Sequence, residues 1–169
     1  MTLGPLFEAS FIIQLHVMAA LPALVLGPLV LWGRGGRLRH KVLGYGWVVS
    51  MLLLAASGLF IPSGGPALAG HFGPIHLLCL LTFIGIWQGV GHARQRRIAA
   101  HQKAMRQIWF WALGLAGLFT LLPGRIMHEV LVAGGGTYAA WLAIVVGVSG
   151  LVFLQRRRPR PFRMPHSAG

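Results

Sequence analysis

Residues 9–32 read ASFIIQLHVMAALPALVLGPLVLW. Only Ser10, Gln14 and His16 interrupt this apolar run. A helix crosses the hydrocarbon core with about 20 such residues. The stretch is therefore a membrane-spanning helix, and four further segments resemble it: 42–61, 72–91, 104–122 and 137–154. None carries Lys, Arg, Asp or Glu in its central stretch. Alternating ten-residue segments of the barrel kind are missing. The fold class expected is all-α, an integral membrane bundle of about five transmembrane helices. Pro22 and Pro28 can kink the first helix, and neighbouring helices can repair the lost hydrogen bonds.

Composition agrees. Of 169 residues, 56% are apolar and 10% charged. A soluble domain needs about a quarter of its residues charged. Disorder goes with low hydrophobicity, so a disordered polycation is excluded as well. The net charge of +13 would otherwise suggest a nucleic-acid partner. Its distribution says something else. Arg34, Arg37, Arg39 and Lys41 follow the first segment. Arg94, Arg96, Arg97, Lys103 and Arg106 follow the third. Arg156, Arg157, Arg158, Arg160 and Arg163 follow the fifth. In a five-helix topology these all fall on one side, leaving only Arg125 on the other. Basic loops mark the cytoplasmic face. The N-terminus is expected outside and the C-terminus in the cytoplasm, with Glu8 and Glu129 both outside. Met1 to Phe7 has no basic residue and no cleavage pattern, so the first helix is not read as a signal peptide.

Residues 1–154 form one transmembrane domain on this reading. The tail, residues 155–169, is broken by Pro159, Pro161 and Pro165. It is expected to be disordered and to lie against anionic headgroups, at about 1 kcal/mol per basic residue. The bilayer and its headgroups are thus the first partners; a protein partner or a second copy is the next, and nucleic acid is not expected.

Eight histidines are the chemical signal. Ionisable residues inside membranes tend to be functional, because burying them costs energy. His16 lies about 10 Å into the first helix at 1.5 Å per residue. It heads the stripe His16, Ala20, Ala23, Gly27, and small residues mark close helix contact. His16 is expected to face the bundle, serving equally as an interhelical hydrogen bond or as a ligand. His128 has a comparable stripe through Gly117, Leu121 and Gly124, provided the fourth helix continues through Pro123. His76 opens the third helix at a similar depth, on a bulky face with Cys79, Phe83, Trp87 and Val90. The Gly85–Gly89 face, with Thr82, is the expected helix contact. His76 and His92 are about 160° apart around the helix, so one face cannot present both. His71 lies in an outer loop and His166 in the tail.

Two constellations follow. The outer one joins His16, His76 and His128, near Glu8 and Glu129. The inner one joins His40 and His101, with His92 as a third member. Histidines from separate helices can ligate haem b or a transition metal. No spacing matches a local metal motif such as H-E-x-x-H, and no phosphate loop or nucleophile elbow is present. The single cysteine, Cys79, precludes an internal disulfide and a Cys-based zinc site. With no Asp in the chain, no catalytic residue is assigned.

Four stretches are similar to a family of predicted bacterial membrane proteins known as domain of unknown function 2306. They are Leu38-Arg39-His40-Lys41-Val42-Leu43-Gly44, Phe72-Gly73-Pro74-Ile75-His76-Leu77-Leu78, Ala100-His101-Gln102-Lys103-Ala104-Met105, and Ala116-Gly117-Leu118-Phe119-Thr120-Leu121-Leu122-Pro123-Gly124-Arg125. Gln102 stands where relatives carry the first of a basic pair. The resemblance implies a multi-pass protein of the bacterial inner membrane and implies no activity. Two functional readings stand. One is a scaffold or partner subunit whose histidines knit the helices. The other is a b-type haem or metal-binding electron-transfer protein.

Overall fold

The computed structural model describes residues 4–33, 36–62, 70, 72–120, 125, 126, 128, 129, 146, 150 and 153. Among them the regular structure is helical: α1 (Gly4–Phe7), α2 (Phe11–Leu31), α3 (Arg37–Gly58), α4 (Pro74–Arg94), α5 (Ile98–Ile108), a π-helical stretch (Trp109–Leu115) and α6 (Ala116–Phe119). The helices α2, α3 and α4 are each long and apolar enough to cross a membrane. From Ile98 to Phe119 the backbone stays helical through both junctions, with Trp109 and Ala116 in right-handed conformation. That rod measures about 33 Å at 1.5 Å per residue.

The helices form two antiparallel hairpins. One pairs α2 with α3, and the other pairs α4 with α5. Contacts between α3 and α4, and between α2 and the π-helical stretch, join the pairs. In lipid there is no hydrophobic drive to bring helices together, so close backbone approach does the work. Ala19, Ala23 and Gly27 supply it on α2, where they are buried. At Gly27 the approach is closest: a Cβ there would fall on the indole of Trp109 and within 3.2 Å of Trp47 Nε1. The second hairpin closes in the same way, with Gly85 against Ile108 and Gly89 against Met105. Trp47, Met51, Ile86, Met105 and Trp109 fill the centre. Large apolar side chains also stand fully outside, Trp87 being 82% exposed and Met18 71%. Such a surface suits lipid, since soluble monomers rarely expose broad apolar patches.

Helix α2 runs unbroken through Pro22 and Pro28. The bulky face expected on α4 turns outward at Trp87, and the Gly85–Gly89 face packs on α5. Two helices start earlier than hydropathy suggests. Helix α3 begins at Arg37 and α5 at Ile98, because their first turns are polar and escape an apolar window while still forming helix. The turn between α4 and α5 is a Schellman closure: Arg96 N–H bonds Ala93 O at 3.0 Å and Arg97 N–H bonds His92 O at 2.9 Å. Arg96 adopts the left-handed conformation that this motif usually gives to glycine, with φ 58°. Of the segment 137–154 only 146, 150 and 153 are described, each helical. Pro123, His71, and the tail with His166 lie outside the described residues.

Candidate functional site

At the end of the bundle where α3 finishes and α4 starts, two histidines are held by hydrogen bonds. His16 Nδ1 lies 3.0 Å from Ser57 Oγ. The Ser57 hydroxyl spends its one hydrogen on the carbonyls of Leu53 (2.7 Å) and Leu54 (3.1 Å). His16 must therefore donate from Nδ1, and Nε2 keeps its lone pair. Space beside it is tight. A Cβ on Gly58 would come within 3.0 Å of Cys79 Sγ and 3.3 Å of His16 Cε1. Glycine lets α3 carry His16 and Cys79 this close to its last turn; a Cβ would make both side chains give by a few tenths of an ångström.

His76 sits at the third position of α4 and is 3% exposed. Its Nδ1 accepts the Gly73 N–H at 3.0 Å, which is one half of a capping box. Its Nε2 lies 3.0 Å from the Ile61 carbonyl, an acceptor, so Nε2 donates. Both ring nitrogens are spent on backbone. One bond caps α4; the other reaches across to the chain leaving α3. Phe72 packs on the ring edge-on, with centroids 4.9 Å apart.

His101 occupies the opposite end. Its Nδ1 donates to the Gly89 carbonyl at 2.8 Å, tying α5 to α4, and Nε2 has no hydrogen bond among the described residues. His40, from the first turn of α3, meets it edge-on with centroids 6.3 Å apart. The inner pair proposed from sequence is thus brought together. His92 is half-buried in the last turn of α4. His128 is half-buried on a helical turn where Glu129 N–H bonds Arg125 O at 3.0 Å. Arg125 lies over the Phe119 ring, 4.9 Å from its centroid. Among the described residues, no three His, Cys, Asp or Glu side chains come together to hold one metal ion.

The tryptophans add a feature that sequence reasoning did not pick out. Nε1 of Trp32, Trp47 and Trp109 is buried, and none has a hydrogen-bond partner among the described residues. Each such donor costs about 1–3 kcal/mol. Trp32 meets Trp109 edge-on at 5.3 Å and 76°, a favoured aromatic geometry that offsets part of this. Nothing in the sequence marks Ser57 as the partner of His16. A serine next to a helix end resembles any other small residue until its partner is known.

The comparisons agree with the helices and the exposed apolar surface. No curated protein and no solved structure matches the chain. The model of a predicted membrane protein family matches residues 13–155, and the chain belongs to that family, DUF2306.

Proposed function

We propose that this chain is a non-catalytic scaffold or partner subunit of the bacterial inner membrane, in which histidines fasten the helices. Five spans with the N-terminus outside and the C-terminus in the cytoplasm complete the reading, following the basic loops. The observation that carries it is His76. A ring with both nitrogens bonded to backbone and almost no exposure has no lone pair left to ligate, and it secures the α3–α4 connection instead. His16 to Ser57 and His101 to Gly89 act alike between other helix pairs.

The test compares His76→Ala with His76→Asn in purified protein. Asn can still accept the Gly73 N–H but cannot reach Ile61. The alanine variant is expected to lose about 2–4 kcal/mol, two bonds and a cavity, and the asparagine variant about half. The visible spectrum is expected to stay unchanged in both. A Soret band in the wild type that vanishes on His76→Ala would refute this reading.

One observation favours the second reading, electron transfer through b-type haem or a transition metal. His16 and His101 each fix Nδ1–H on a protein oxygen, as metal-ligating imidazoles do, and Nε2 of each has no hydrogen bond among the described residues. On this reading His16 and His128 serve the outer site, with His40 and His101 at the inner one. A Soret band lost in His16→Ala or His101→Ala, but kept in His76→Ala, would favour it over the scaffold.

A further inference from the structure

A shallow groove opens between the end of α2 and the start of α3. Leu29, Val30 and Leu43 give it an apolar lining, and the exposed Arg39, His40 and Gly33 complete it. Arg39 and His40 precede Leu43 by about one helical turn, roughly 5 Å along the axis. That offset matches a phosphate at Arg39 and His40 with acyl chain beginning on the apolar lining. We propose that this groove is a discrete site for one anionic phospholipid.

Charge complementarity selects the occupant. The first turns of α3 carry Arg37, Arg39 and Lys41, with no acid in the first turn. Cations at a helix N-terminus oppose its macrodipole. The N-cap is Gly36, which offers no side-chain acceptor. The chain's two acids are Glu8 and Glu129, so neither is in this turn or in the arginine turn between α4 and α5. A phosphate at Arg39 and His40 relieves the repulsion, while the aliphatic lining favours a lipid over a free anion. His40 also contacts His101, which is tied to Gly89 on α4. A headgroup on His40 therefore bears on the junction between the two hairpins. The inference rests on the scaffold reading, since the electron-transfer reading commits His40 to the inner ligand site.

The experiment titrates delipidated full-length protein in non-ionic detergent with dioleoylphosphatidylglycerol or dioleoylphosphatidylcholine, read by native mass spectrometry. A saturable one-to-one phosphatidylglycerol complex is expected, well below the concentration at which phosphatidylcholine binds. Arg39→Gln is expected to weaken it about fivefold, the equivalent of about 1 kcal/mol per surface cation. Leu29→Trp fills the groove from a half-exposed position without altering charge, and should weaken binding comparably. Should that variant lose its thermal transition, Leu43→Phe makes the same test. Arg157→Gln/Arg158→Gln, in the tail, should leave the first complex intact. Equal affinity for both lipids overturns the proposal. So does undiminished binding after Arg39→Gln or groove filling, equal loss in the tail variant, or displacement by millimolar glycerol phosphate.

Discussion

Gly27→Ala sets two effects of opposite sign against each other. Replacing a mid-helix glycine with alanine ordinarily gains up to about 1 kcal/mol of helix propensity. At position 27 the new methyl would fall on Cδ1 and Nε1 of Trp109 and lie 3.2 Å from Trp47 Nε1. Neither indole can yield cheaply. Trp109 is 4% exposed and Trp47 1%, and Trp109 also packs on Trp32. Overpacking of a close-packed core costs about 1–3 kcal/mol. The contact lies where α2 meets both α3 and the π-helical stretch, so relief means parting α2 from both. A net loss of about 1–2 kcal/mol is expected once propensity is subtracted. Gly91→Ala is the control. Nothing lies within 4 Å of its Cβ, so only propensity acts and stability should rise slightly. The assay is unfolding by sodium dodecyl sulfate in mixed micelles, followed by circular dichroism and tryptophan fluorescence. Fluorescence should change for Gly27→Ala and not for Gly91→Ala. If both variants shift stability the same way, the close approach at Gly27 is wrong.

Three other outcomes can be checked in the same assay. Arg96→Gly relieves a left-handed residue in the α4–α5 turn and should stabilise by about 1 kcal/mol; a loss would mean that the side chain, not the backbone, matters there. A double-mutant cycle of His16→Ala and Ser57→Ala should show a coupling of about 0.6 kcal/mol, the usual scale between membrane helices. Zero coupling would remove Ser57 as the partner of His16. Trp47→Phe removes a buried donor that has no partner among the described residues, so relief of about 1–3 kcal/mol should offset the packing lost and leave the net change near zero. A loss above about 3 kcal/mol would show that the indole N–H is hydrogen-bonded after all.

The histidines show where reading along the chain stops. The small-residue stripe headed by His16 runs through Ala20, Ala23 and Gly27, of which Ala23 and Gly27 are buried and Ala20 is partly buried. The partner of His16, Ser57, lies 41 positions away, a separation that no helical periodicity reports. The pairing of His40 with His101 follows the same rule. Each stands at the start of a helix among arginines, but only the antiparallel return of both hairpins sets the rings 6.3 Å apart. For His76, sequence located the helix start and left the ring's task open. The two backbone bonds decide it, because they depend on where the chain leaving α3 passes.

By itself the sequence determined that the chain is helical and apolar enough for a membrane, and which ends carry the charge. Those properties are local: a run of about 20 apolar residues needs lipid whatever its neighbours do. Charge placement even overrides local helix preference, since α3 opens on arginines that its dipole disfavours. Tertiary structure alone decided which small residue meets which indole, which imidazole nitrogens are spent, and which apolar and cationic side chains share a groove. Each of these is a distance between separate helices. In lipid, where hydrophobicity does not distinguish one helix face from another, such distances are set by side-chain shape and by hydrogen bonds seeking partners.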